Sequence, residues 1–330
     1  MNPNHPSCAI KLCNVVSPHA DDGEIRFLQQ LGVRYAYTWC PDLSAHYDDM
    51  ARLRDRLASH GITLNNIGDY YVCKSPNIHL GTPERDRDIE KFFDMMKTIH
   101  RLGVHVTTFT WEPDQVWTTS FDYPTRGGAL TRHVDLEQLK QTPPKHGRVY
   151  EKPELWEHFS YFMRQVIPEA ESMDIRLALH PNDPPTDRLG GVDCLIASVE
   201  DFCTAFRIAD SRALGMEFCC GCWLEGGKER FGDIFQSIRE FVAQDRVLIV
   251  HFRNVSGSLP VFTETFIDDG DADMFALMQA FCRAGYSGTL IYDHSPVFGG
   301  NPLYNNDRSR ETAYAVGYIK ALMNAASRNH

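Results

Sequence analysis

Eight short runs of β-forming residues, each followed by a helix-like segment, constrain the fold more than any other feature. They are IKLCNVV from Ile10, VRYAYTW from Val33, ITLNNIG from Ile62, VHVTTFTW from Val104, IRLALH from Ile175, ALGMEFC from Ala213, VLIVHF from Val247 and GTLIYD from Gly288. Several are apolar nearly throughout, as parallel strands covered on both faces tend to be. The intervening segments carry helix-start signals. Thr82-Pro83-Glu84 predicts an N-cap with proline at the first helical position, ahead of Ile89, Phe92, Met96 and Ile99 at helical spacing. Ser198 to Asp201 reads as a capping box before Phe202, Phe206 and Ile208. Ser44 opens a helix with Met50, Leu53 and Leu57 on one face and Gly61 past its end.

Eight such units without a second kind of module predict an α/β fold, a (β/α)8 TIM barrel forming a single domain over residues 1–330. A doubly wound open sheet would carry a glycine-rich phosphate loop after its first strand, where this chain has VVSPHADDGE. One connection is out of scale. Residues 112–152 show little periodicity and several turn formers, which predicts a long loop after strand 4, an active-site loop or lid. Trp111, Trp117, Phe121 and Tyr123 would floor or cover a pocket there, or pack on one another.

In a barrel, chemistry gathers at the C-terminal ends of the strands. The last residues of runs five to eight are His180, Cys219, His251 and Asp293. Four consecutive strand ends that can each ligate a metal predict a metal site. Cys219 lies in CCGC, which formally fits C-x-x-C, the pattern of redox and structural zinc sites. The glycines that follow predict a loop rather than the helix a redox site needs, and no second Cys pair completes a zinc cluster. Cys219 is therefore read as a single metal ligand.

Strand alternation puts Arg253 on the face of His251 and Glu217 on the face of Cys219. A fixed guanidinium beside a metal suits capture of a carboxylate. His-His-Cys-Asp with a nearby arginine thus suits a small hydroxy acid, whose enolate a metal stabilises. His294, next to Asp293, is a candidate proton donor to a leaving hydroxyl or else a brace on Asp293. In FTETFIDDGDADM, Glu264 is a candidate pocket residue and the aspartates read as turn and cap residues.

The net charge of −11 and the absence of a basic run exclude nucleic acid as an expected partner. No apolar stretch reaches the ~20 residues that would cross a bilayer. Ten cysteines without a signal-peptide pattern predict a cytoplasmic chain with mostly reduced thiols.

In order, LALHPNDPP, FCCG, HFRNV, FTETFIDDGDADM and DHSP resemble the mannonate dehydratase family, metal-dependent TIM barrels related to xylose-isomerase-like sugar enzymes. The resemblance spans about Arg176 to Pro296. It implies a cytoplasmic hydro-lyase of hexuronate breakdown that dehydrates D-mannonate to 2-keto-3-deoxy-D-gluconate. It also implies Mn²⁺ as cofactor, with Fe²⁺, Co²⁺ or Zn²⁺ as other metals the donors suit, and pairing into a homo-oligomer such as a dimer. By the same resemblance His180, Cys219, His251 and Asp293 are metal ligands and His294 is the acid/base. Arg253 matches the arginine of the strand-seven motif and is a candidate catalytic residue and substrate contact. Asn254, Trp117 and Glu264 are further candidate substrate contacts, and Tyr304 is chosen as the catalytic base, with Tyr314 its rival. The family's early arginine–tryptophan pair has no counterpart near LCNVVSPHA, Thr119 stands where an arginine is expected, and Ile267 where a histidine is. Two further readings stay open. One is an isomerase, epimerase or β-eliminase acting on another sugar on the same barrel. The other is a non-catalytic metal or thiol-redox protein built on CCGC.

Overall fold

All eight runs are strands, and consecutive strands are always neighbours. The computed structural model describes residues 8–114, 116–299 and 308–328. The strands are β1 (Lys11–Val15), β2 (Tyr35–Trp39), β3 (Thr63–Gly68), β4 (Val106–Thr110), β5 (Arg176–His180), β6 (Leu214–Cys219), β7 (Val247–His251) and β8 (Thr289–Ile291). They pair in the order β3-β2-β1-β8-β7-β6-β5-β4, and every ladder is parallel. The chain forms the TIM barrel that the alternation predicts.

β3 and β4 stand at the two ends of that ladder, and side chains join them. Thr107 Oγ1 donates to Ile67 O at 2.8 Å, and Asn66 Nδ2 donates to Thr108 Oγ1 at 2.9 Å. These polar residues interrupt apolar strands because they replace the missing backbone pairing, which buried groups require.

The helices pack outside. Helix Arg85–Arg101 brings Phe92 against Phe162 of helix Lys152–Ser172, with ring centroids 5.1 Å apart. Trp111 lies against Phe159 at 5.0 Å, so it belongs to this core. Each such fully buried ring stabilises the fold by roughly 1.5–3 kcal/mol relative to exposure. Ser198 caps helix Val199–Ala209 as predicted, accepting from Asp201 N. Thr82 does not cap; the helix starts at Arg85, and Thr82 Oγ1 donates to Asn77 Oδ1 instead. Ser44 falls in a 3-10 turn, Leu43–His46, which leads into helix Tyr47–Ser59.

The 112–152 segment is more regular than its sequence predicts. It holds strands Ser120–Pro124 and Leu130–Asp135 and a short helix, Leu136–Leu139. With Val255–Ser258 and Val261–Glu264, from the chain after β7, these strands form a four-stranded antiparallel sheet. Val134, Leu136, Leu139, Leu189, Val255 and Phe262 give this rim its own small core. Phe121 and Tyr123 point outward on its edge, 61% and 41% exposed.

Eight of the ten cysteines are free thiols; Cys8 and Cys282 form a disulfide. Among the described residues no helix is long and apolar enough to cross a membrane.

Candidate metal centre

Cys219, His251 and Asp293 bring ligand atoms within 4.8 Å of one another, and His180 lies within the same distance of Cys219 and Cys222. The His180 and His251 rings are 5.2 Å apart. The four predicted ligands therefore meet, each delivered by the end of a strand or the residues just beyond it.

In each histidine, a hydrogen bond on one ring nitrogen selects the nitrogen left free on the other side. His180 Nδ1 donates to Pro181 O at 2.7 Å, which leaves the lone pair on Nε2. Glu217 Oε1 accepts from His251 Nε2 at 2.6 Å. The buried His251 Nδ1 then makes no hydrogen bond, with Asp293 Oδ2 lying 3.3 Å away. A carboxylate behind an imidazole is how proteins orient metal-binding histidines. Burial opposes ionisation of Cys219, yet a hydrogen bond from Cys222, the Arg253 charge and the two imidazoles hold its thiol well below the ordinary value. Burial also opposes the Asp293 charge, and His251 and His294 hold that carboxyl well below its usual range. Asp293 takes a φ of +66°, a left-handed conformation that costs a non-glycine residue ~1–2 kcal/mol. An orphaned imidazole nitrogen, a thiolate and a carboxylate converging on one point fit a divalent transition metal.

The loop predicted after Cys219 is a helix. Cys219 is the N-cap of helix Cys220–Phe231, and the later glycines kink it at Gly227, where φ is 63°. Cys222 is not a second thiolate. Burial and the neighbouring Cys219 push its thiol well above the ordinary value, and Arg253 Nη2 stands 3.6 Å from its Sγ. A guanidinium occupies the place a cation at Cys222 would need.

Arg253, predicted to hold a substrate carboxylate, is engaged by the protein. It is 2% exposed, and its Nε, Nη1 and Nη2 reach Asp293 (3.0 Å), Glu225 (2.5 Å) and Asp183 (2.9 Å). Arg132 completes the cluster, 2.7 Å from Asp183 Oδ1 and 3.0 Å from Glu264 Oε1. Burial pushes Glu225 up to about 8 against the pull of Arg253. Two guanidiniums face the ionised Asp183, Glu264 and Asp293 here, with Glu225 largely protonated at neutral pH, a small excess of acid that His294 offsets.

The other predicted contacts are placed as follows. His294 Nδ1 lies 2.7 Å from Glu264 Oε2 and its Nε2 lies 3.1 Å from Asp293 Oδ2, with 44% of the side chain exposed. Glu264 is buried between His294 and the arginines. The Asn254 amide is saturated by the backbone of Val255, Ile267 and Ala272. The Trp117 ring sits under Lys145 Nζ at 3.8 Å and packs into the rim core. The Tyr314 hydroxyl accepts from Arg126 at 3.1 Å, away from the ligand cluster, and Tyr304 lies outside the described residues.

Sequence reasoning missed the roles of Glu217, Asp183, Glu225 and Arg132. A charged residue inside the apolar run GMEFC was a signal for Glu217. Arg132 gave none, because its partners come from distant segments.

The family profile described as D-mannonate dehydratase (UxuA) matches residues 131–330. Mannonate dehydratase 2 of Halalkalibacterium halodurans is 26% identical over 301 residues, covering 82% of this chain and 86% of that protein. The mannonate dehydratase of Streptococcus uberis is 26% identical over 308 residues, with 83% and 86% covered. The crystal structure of mannonate dehydratase from Streptococcus suis serotype 2 superposes with a TM-score of 0.84 at 20% identity, over 97% of this chain and 94% of that one.

Proposed function

The chain belongs to the D-mannonate dehydratase family, whose members are sugar-acid dehydratases and hydro-lyases, and on that premise we propose that it converts D-mannonate to 2-keto-3-deoxy-D-gluconate and water. The observation that carries this reading is the convergence of Cys219, His251, Asp293 and His180 beside His294. In this reading the chain acts as one barrel domain.

His180, Cys219, His251 and Asp293 would hold the metal, proposed as Mn²⁺; Fe²⁺, Co²⁺ and Zn²⁺ suit the same donors. When bound, it supplies the Lewis acidity that polarises the carboxylate and 2-hydroxyl of the acid and favours loss of the C2 proton. Glu217 keeps His251 turned to the site. Arg253, joined to Asp293, acts as a positioning residue.

His294 is the proton donor. Desolvation opposes its charge, and the Asp293 and Glu264 carboxylates outweigh it, raising the imidazole to about 10. Its side chain is 44% exposed, so the ring can meet a bound substrate. Tyr304 is proposed as the base that takes the C2 proton. The C3–O bond then breaks, the hydroxyl leaves as water with the proton of His294, and the enol tautomerises to the keto acid.

The engagement of Arg132 and Arg253 by protein carboxylates favours a second reading, an isomerase, epimerase or β-eliminase acting on an uncharged sugar. One experiment separates the two. Purified protein with Mn²⁺ restored is incubated with D-mannonate, and the 2-keto-3-deoxy acid is followed. Turnover that disappears in Cys219→Ser supports the dehydratase; metal bound without turnover overturns the substrate.

A further inference from the structure

Below the ligand cluster the barrel bore encloses a cavity of about 90 Å³. His251 and Asp293 line one side of it, Tyr37 and Trp39 offer ring surface, and Asn66 and Glu217 face it from β3 and β6. Asn66 and Glu217 are 4% and 3% exposed, and each has an oxygen without a hydrogen-bond partner, Asn66 Oδ1 and Glu217 Oε2. Their other polar atoms are held by Thr108 and His251. Two buried acceptors without partners, on side chains that line a cavity, favour a ligand that donates, because an unpaired buried acceptor is costly.

The charge of the walls narrows the ligand class. Neither lysine nor arginine lines this cavity, while Glu217 and Asp293 do, so a carboxylate is repelled. Glu217 belongs to no group of three converging His, Cys, Asp or Glu ligand atoms among the described residues, so a second metal is not favoured. Hydroxyl groups meet both demands, and the space suits several waters or a short polyol chain.

We propose that this cavity takes the uncharged polyhydroxy tail of the substrate, with Asn66 Oδ1 and Glu217 Oε2 each accepting a hydrogen bond from one of its hydroxyl groups. The proposal rests on the sugar-acid reading and deepens it: the acid end stays at the metal ligands, and the tail length that fits the bore sets specificity.

The test uses the full-length, metal-loaded protein and two readouts. Binding of D-arabinitol, a neutral five-carbon polyol, is measured by ligand-observed NMR, and KM for D-mannonate by product formation. Asn66→Leu is expected to weaken both roughly ten-fold, the loss of one buried hydrogen bond. Metal content by mass spectrometry stays that of the wild type, and Asn66→Asp, which keeps an acceptor, recovers most of the loss. No arabinitol binding by the wild type, or equal binding by Asn66→Leu, overturns the proposal. Asn66-dependent arabinitol binding without turnover of D-mannonate upholds the cavity assignment and overturns the substrate.

Discussion

The guanidinium of Arg253 lies directly against the Cα of Gly221: a methyl group built there would come within 2.2 Å of Arg253 Cζ. Glycine at this position of CCGC is thus a steric requirement of the charge cluster. Gly221→Ala is expected to displace Arg253 from Asp183 and Glu225 and to destabilise the protein by about 3–5 kcal/mol, as breaking a buried ion pair does. Denaturant unfolding reads this, and a loss within experimental error would show that the cluster adjusts freely.

Glu217 stands behind His251, so its removal should reach the metal without touching it. Glu217→Ala is expected to weaken metal affinity about 10–100-fold, measured by competition with a chromophoric chelator. Cys219→Ser should lower metal content further. An unchanged affinity in Glu217→Ala would remove Glu217 from the site.

His294→Asn should leave metal content intact while kcat falls by about 10²–10⁴, the range for loss of a general acid. Rates and metal stoichiometry on the same preparation decide it. An unchanged turnover rate would leave His294 as a brace on Asp293.

A buried histidine outside the site sets an acid limit on stability. His79 is 2% exposed and packs on Trp111 at 4.5 Å. Burial, then the Lys74 charge, pulls it down to about 3. Unfolded, a histidine titrates near ~6.5. Between these values the unfolded chain takes up a proton that the folded one refuses. Stability from this group is therefore whole above pH ~6.5 and falls on acidification toward ~3, by up to ~1.4 kcal/mol per pH unit. Urea unfolding at pH 7 and pH 5 should show the wild type losing about 1–2 kcal/mol more than His79→Gln; equal losses would place the acid sensitivity elsewhere.

What the sequence disclosed, and what it hid, divides along a physical line. β5 to β8 were legible because strands buried on both faces give unbroken apolar runs, and their ends then put His180, Cys219, His251 and Asp293 on one rim. The rim strands were not, since Ser120–Pro124 is mostly exposed and its neighbours pair with segments beyond β7. Helix Cys220–Phe231 is hidden in the sequence because local propensity counts Gly221 as a breaker, whereas a contact with Arg253 demands it. The face of Arg253 followed from alternation. Its partners Asp183 and Glu225 come from other elements, and no local pattern announces them.

The antiparallel rim sheet draws two strands from the chain after β4 and two from the chain after β7, and the pairing of Val261 to Thr263 with Asp135 to His133 fastens them. The two segments therefore form one module. A chimera that exchanged one alone would leave a ragged, self-adhesive strand edge at the mouth of the barrel.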